Sequence, residues 1–242
     1  MPISNKFLNS LIILNLVIGL ILIHVLSVKL ITLIELHLIP GFGLITFAEL
    51  MGALVTLSLV ALLYKSSFFR NMHLKLEFEN TQSKSVLISI GLYIGFYIAT
   101  LLLAQFVYIW FVDLDQINNE YQNHFLNDSS HFTSPFGNIQ LIIGILLIAP
   151  ILEEIIFRGL LWSSLRKYWN FWLATLISAF IFAVFHISLL WSWQLNLIVV
   201  IEIFLLGCCL AWLMEYSRNL VYPIIVHGFN NFLAGLSLIL LQ

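Results

Sequence analysis

Seven residues carry chemistry that their surroundings do not call for. Glu153, Glu154 and Arg158 stand in PILEEIIFRG (150–159), Phe182 and His186 in FAVFH (182–186), and His227 and Asn231 in HGFNN (227–231), each inside a run of Ile, Leu, Phe and Val. An ionisable side chain in an apolar medium costs at least a few kcal/mol, so such a group faces a partner, a bundle interior or a water-filled cavity. Glu154 and Arg158 are four apart, share a face on a helix and can form an ion pair. Glu153 lies about 100° further round the helix, on a different face from that pair. Taken singly, each motif has a plainer reading: an ion pair locking two helices together, or a hydrogen-bonded histidine. Three helices that each present such groups point instead to convergence. A carboxylate, two imidazoles and an amide are the parts for hydrolysis: a general base for water, a second proton carrier and donors for a developing oxyanion.

The elements that must position these groups are helices in lipid. Charged residues make up 9% of the 242-residue chain, against about 25% in a soluble domain, and mean hydropathy is +1.03. Breaking the sequence at polar clusters leaves apolar segments near 7–28, 42–64, 86–112, 138–161, 171–190, 195–215 and 223–241. At roughly 20 apolar residues per span, the expectation is an all-α, polytopic transmembrane bundle of about seven spans. Six or eight result if 29–41, broken at Pro40-Gly41, or 187–194 is interfacial. The runs are too long for membrane strands and lack their turn signals. The whole chain, 1–242, reads as one transmembrane domain with its motif-bearing core at 138–235.

Lys6, Lys65, Arg70, Lys75, Lys84, Arg166, Lys167 and Arg218 fall on one side of such a bundle and only Lys29 on the other, which places the N-terminus in the cytoplasm. The apolar run 7–28 exceeds a signal-peptide core and lacks its cleavage pattern, so it reads as a retained anchor. Cys208 and Cys209 are adjacent, and a disulfide between them would be strained. A net charge of -2 offers no basic surface, which excludes nucleic acid as a partner. Depth along the helices sets Glu153 about 12 Å, His227 about 6 Å and His186 about 20 Å from the cytoplasmic ends of their segments. The last value conflicts with the others unless RKYWNFW (166–172) is a helical extension in the interface or Pro150 breaks its helix. His24, Glu49, Gln105 and Glu202 each occur singly on apolar segments and read as interhelical hydrogen-bonding groups, although Glu202 could approach the site from the helix before His227.

The succession EExxxR, FxxxH and HxxxN in apolar helices resembles the CAAX protease and bacteriocin-processing family of intramembrane endopeptidases, over residues 138–235. The resemblance implies that Glu153 and His186 activate the attacking water and that His227 and Asn231 stabilise the oxyanion. Glu154 and Arg158 match its positioning groups, and Phe182 would pack against the catalytic imidazole. It further implies a membrane-associated peptide or protein substrate: a prenylated tail, a bacteriocin or a signalling peptide, in a bacterial plasma membrane. The family is described both as metal-dependent and as glutamate-type. Zinc could draw on Glu153, His186 and His227, but no HExxH stands in the chain, and the expectation is a site without a cofactor. The alternatives outside this class are a non-catalytic immunity or scaffold protein and a small cation-coupled transporter. A transporter would carry paired discontinuous helices, whereas Pro150 is the single interruption found.

Overall fold

Long apolar runs bounded by polar and turn-forming residues leave the backbone one way to satisfy its own donors and acceptors, the helix. In the computed structural model the described residues are 12, 15–19, 23, 58, 83–111, 143–187 and 192–240, and no strand occurs among them. The principal helices there are α1 (Ser83–Phe111), α2 (Ala149–Glu154), α3 (Ser163–Tyr168), α4 (Phe171–Val184), α5 (Trp193–Ser217) and α6 (Val221–Leu240). Five of the expected spans correspond to described helical stretches. The first two, the polar stretch 113–137, the polar stretch 65–85 up to residue 82, and the residues His24 and Glu49 lie outside the described residues, apart from the scattered N-terminal positions above. By length and composition α5, with 25 residues and a hydropathy of 2.6, can cross a bilayer; Leu87–Thr100 and α4 are shorter apolar helices.

The chain divides into two compact units, residues 1–76 with 131–170 and residues 77–130 with 171–242. In the first, residues 144–168 follow one helical path that alternates π turns at Gly144–Ile148 and Ile155–Trp162 with α2 and α3. Pro150 does not break this path. It falls immediately after a π segment, an irregularity of the hydrogen-bond ladder that goes with proline inside a helix. The path ends at Tyr168, and Trp169 is extended (φ -122, ψ 158). The stretch RKYWNFW is therefore not a continuous helical extension: Arg166 donates from Nη1 to the Trp169 carbonyl (3.3 Å), closing one helix before α4 starts at Phe171.

In the second unit α5 packs against α1, α4 and α6. On α4, Ala174, Thr175, Ser178, Ala179, Phe182 and Ala183 are buried, a stripe of small residues ending in one aromatic ring. Gly207 faces this stripe from α5, and a Cβ there would stand 2.9 Å from Ala179 Cβ, 3.0 Å from Ala179 Cα and 3.4 Å from Phe182 Cδ1. Small residues thus let the two backbones approach closely, the packing mode of helices in lipid. α1 buries Ser89, Tyr93 and Thr100 while Leu87, Ile90, Ile94, Ile98, Leu102 and Phe106 are exposed. An apolar exposed stripe facing away from a buried polar-bearing face fits a helix solvated by acyl chains. Cys208 and Cys209 form no disulfide.

The turn from α5 to α6 sets where α6 begins. Arg218 adopts a left-handed conformation (φ 52, ψ 30), and its N–H closes on the Met214 carbonyl. Asn219 Oδ1 then accepts from the Val221 N–H (2.9 Å), satisfying one of the first orphan donors of α6.

The close approach at Gly207 yields a signed prediction. Replacing a helical glycine by alanine gains up to about 1 kcal/mol of propensity, but at Gly207 the new methyl meets backbone that cannot give way, a clash that costs about 1–3 kcal/mol. Gly95, where an added methyl would meet nothing within 4 Å, serves as the control. Thermal unfolding in detergent is expected to show Gly207→Ala destabilised and Gly95→Ala unchanged or stabilised; the reverse order would contradict the packing described.

Candidate active site

The sequence-predicted residues fall into two groups, each assembled within one unit. In the first unit, α2 carries Glu153 and Glu154, and the following π turns carry Arg158. Arg158 Nη1 donates to Glu154 Oε1 at 2.9 Å, with both side chains 0% exposed. The pair therefore forms within a single helical path rather than locking two helices together. Ile156, Phe157, Leu160, Leu161 and Trp162, all buried, surround it in sequence. In so dry a setting the attraction is screened little. The Arg158 carbonyl accepts from Ser163 Oγ at 2.7 Å, which satisfies an acceptor where π gives way to α. π segments within α-helices cluster at functional sites, and here they flank the six residues that include both glutamates. Glu153 is less deeply buried than Glu154.

In the second unit α4 ends at Val184, two residues short of His186. The expected continuation of that helix through His186 does not occur. The final turn tightens instead, with the His186 N–H on the Ala183 carbonyl (3.0 Å), and the imidazole folds back so that Nδ1 lies 2.8 Å from the Phe182 carbonyl. A carbonyl can only accept, so Nδ1 bears the proton, and in the neutral ring the lone pair is on Nε2. The side chain thereby caps a helix C-terminus and fixes its own tautomer. Phe182, fully buried, holds its ring edge-on to both imidazoles, 4.7 Å and 70° from His186 and 5.6 Å and 90° from His227. His186 and His227 thus meet one ring, so the difference in depth expected between the two histidines is not found. His186 turns back toward its own helix instead of standing one turn further along it.

His227 is buried on α6, with Asn231 one turn later and partly exposed. The neighbouring Asn230 accepts from the Tyr93 hydroxyl across a long 3.4 Å contact, and the Tyr93 ring meets Phe229 at 5.4 Å in a T-shaped arrangement. Tyr93 of α1 thus anchors the segment of α6 that carries His227 and Asn231. Glu202 is exposed on α5. Sequence reasoning passed over Tyr93, Asn230, Asn219 and Gly207. Of these, Gly207 carried a signal, since glycine inside an apolar helix costs stability unless a close contact requires it.

Chemically, the second unit offers an imidazole whose Nδ1 is engaged by a backbone carbonyl, a second buried imidazole and a nearby carboxamide. The first offers a carboxylate, Glu153, beside an ion pair that holds Glu154 in place. Among the described residues no group of three or more His, Cys, Asp or Glu side chains is arranged to hold a metal ion.

Comparison with known proteins matches residues 135–233 to the family described as Type II CAAX prenyl endopeptidase, Rce1-like. This supports the CAAX protease and bacteriocin-processing family, over nearly the same residues that carry the three motifs. An uncharacterized 24.3 kDa protein of Escherichia coli is 33% identical over 85 residues, covering 34% of this chain and 37% of that protein. The chain thus spans little more than a third of the curated relative it matches. No solved structure matches.

Burial of the Glu154–Arg158 pair determines how its variants behave. Removing one partner leaves an uncompensated buried charge, so Arg158→Met is expected to cost about 3–5 kcal/mol, whereas Glu154→Leu together with Arg158→Met recovers most of that loss. Unfolding of the purified single and double variants checks this. A double variant as unstable as Arg158→Met alone would show that the pair's desolvation is not what sets the cost.

Proposed function

We propose that this chain is an intramembrane endopeptidase that hydrolyses a peptide bond in a membrane-associated peptide or protein presented from the cytoplasmic side of a bacterial plasma membrane. The observation that carries the reading is the contact of His186 and His227, from separate helical elements, with one buried Phe182 ring. An apolar bundle gains nothing in packing from two imidazoles that leucine would not supply, whereas hydrolysis uses both. The match to a prenyl endopeptidase family supports the same class and favours a lipid-modified tail as substrate; the resemblance carries bacteriocins and signalling peptides as the other substrate classes.

In the mechanism that the family resemblance implies, Glu153 and His186 act on one water. Glu153 takes a proton as the oxygen adds to the scissile carbonyl carbon, and His186, through Nε2, orients the water and shares the proton. His227 and Asn231 donate hydrogen bonds to the oxyanion that forms. Collapse of the tetrahedral species breaks the C–N bond, and the proton taken from water passes to the departing amine. Glu154 and Arg158 are positioning residues, fixing the turn that presents Glu153. The Phe182 ring is the wall against which the imidazoles stand. The reading is metal-free; zinc held by Glu153, His186 and His227 would instead lower the pKa of a bound water.

Cleavage of a membrane-peptide library by purified protein in bilayers tests the assignment. Glu153→Ala, His186→Ala and His227→Ala are each expected to lower the rate by about 10²–10⁴-fold and Asn231→Ala by about 10²–10³-fold, with folded yield retained. Full turnover in these variants would overturn the residue assignment, and unchanged biological activity in all three histidine and glutamate variants would favour a scaffold or immunity role. Stoichiometric zinc in the purified protein, lost together with activity on chelation, would overturn the metal-free mechanism.

A further inference from the structure

At the far end of α4 from His186, about 20 Å along the helix, Phe171, Trp212, Glu215 and Tyr216 line an open pocket of about 360 Å³. Three of these residues stand at i, i+3 and i+4 on α5 and so share one face. The Trp212 and Tyr216 rings are stacked, 5.5 Å between centroids and 6° between planes, and both are exposed, at 36% and 48%. Glu215 Oε2 lies 3.6 Å from Arg218 Nη2, with the two side chains 25% and 55% exposed. That separation is too long for a good hydrogen bond, and an exposed pair of this kind holds its partners weakly.

The pocket therefore combines an aromatic wall and a carboxylate with an exposed guanidinium beside them. Aromatic faces and a carboxylate together attract an organic ammonium, and a guanidinium attracts phosphate. The two charges sit side by side, complementary to a ligand that is itself an adjacent ammonium and phosphate. The location selects the source of that ligand. α5 has the length and hydropathy of a span, and the pocket lies at its last turn, where aromatic and basic side chains meet the headgroup layer.

We infer that this pocket binds the zwitterionic headgroup of a membrane phospholipid, its ammonium against Trp212, Tyr216 and Glu215 and its phosphate against Arg218. The site is separate from the hydrolytic residues and does not rest on their assignment. It would fasten the end of α5, and with it the turn from which α6 carries His227, at a defined height in the bilayer.

Native mass spectrometry of delipidated protein, incubated with equal amounts of dioleoyl phosphatidylethanolamine and dioleoyl phosphatidylglycerol, tests the inference. A preference of about tenfold for phosphatidylethanolamine adducts is expected. Glu215→Gln and Trp212→Leu should each abolish it, while Trp193→Leu, an exposed tryptophan at the opposite end of α5, should retain it. Glu215 is a surface substitution, so its variant reads the site even if Trp212→Leu folds poorly. Equal adduct levels for the two lipids, or an unchanged preference in Glu215→Gln, would overturn the proposal. Displacement of the lipid by an equal concentration of O-phosphoethanolamine would overturn its assignment to a membrane lipid.

Discussion

A helix that stops inside an apolar protein must dispose of its last carbonyls, and α4 does so with a side chain that also has chemistry to offer. The Phe182 carbonyl receives His186 Nδ1 at 2.8 Å. That single contact ends the helix, folds the imidazole back against the Phe182 ring and leaves the lone pair of the neutral ring on Nε2. The positioning of His227 depends on the same ring. Because Phe182 is fully buried and abuts the position where a side chain at Gly207 would stand, the small-residue contact between α4 and α5 fixes the object on which both histidines converge. Packing of the helices and orientation of the imidazoles are therefore one problem with one solution.

The acidic half obeys a different constraint. Charge is scarce in this chain, and Glu154 and Arg158 are retained at 0% exposure, where apolar residues of similar volume could be at least as stabilising. Such a pair is weak evidence for stability. Under the proposed function its value lies in geometry: the pair pins one face of a helical path that contains two π segments, next to Glu153. The serine hydroxyl on the Arg158 carbonyl completes the same local structure from its other end. Both halves thus use side chains to close irregular backbone, and in both the closing residue stands in or beside the proposed catalytic set.

Much of this was legible in the sequence, for identifiable reasons. Helical spans follow from apolar runs whose length has no other backbone solution, and the ends of α1, α5 and α6 fall within a few residues of the hydropathy boundaries. The ion pair followed from i, i+4 spacing alone, whereas the Phe182–His186 contact was what the family resemblance implied, and the helix ends between the two residues. Local hydrogen bonding was not legible. Hydropathy sees α4 running on toward 190, because Phe185, Ile187 and Leu189 are apolar, and cannot see that an imidazole caps the helix at Val184. Nor does it distinguish α from π turns, so Pro150 looked like a break when the path absorbs it. The break at Trp169 was hidden because its flanking aromatic and basic residues suit an interfacial helix equally well. Tyr93 escaped notice because one tyrosine among many aromatics carries no periodic signal, and its contact with Asn230 exists only through tertiary packing.

The proposal turns on whether Glu153 and His186 act on the same water. A double-mutant cycle on the cleavage rate measures that coupling directly. Groups that work as one unit are non-additive, so the Glu153→Ala, His186→Ala double variant is expected to be little slower than the worse single variant. Losses that multiply, as they do for independent groups, would contradict a shared hydrolytic centre.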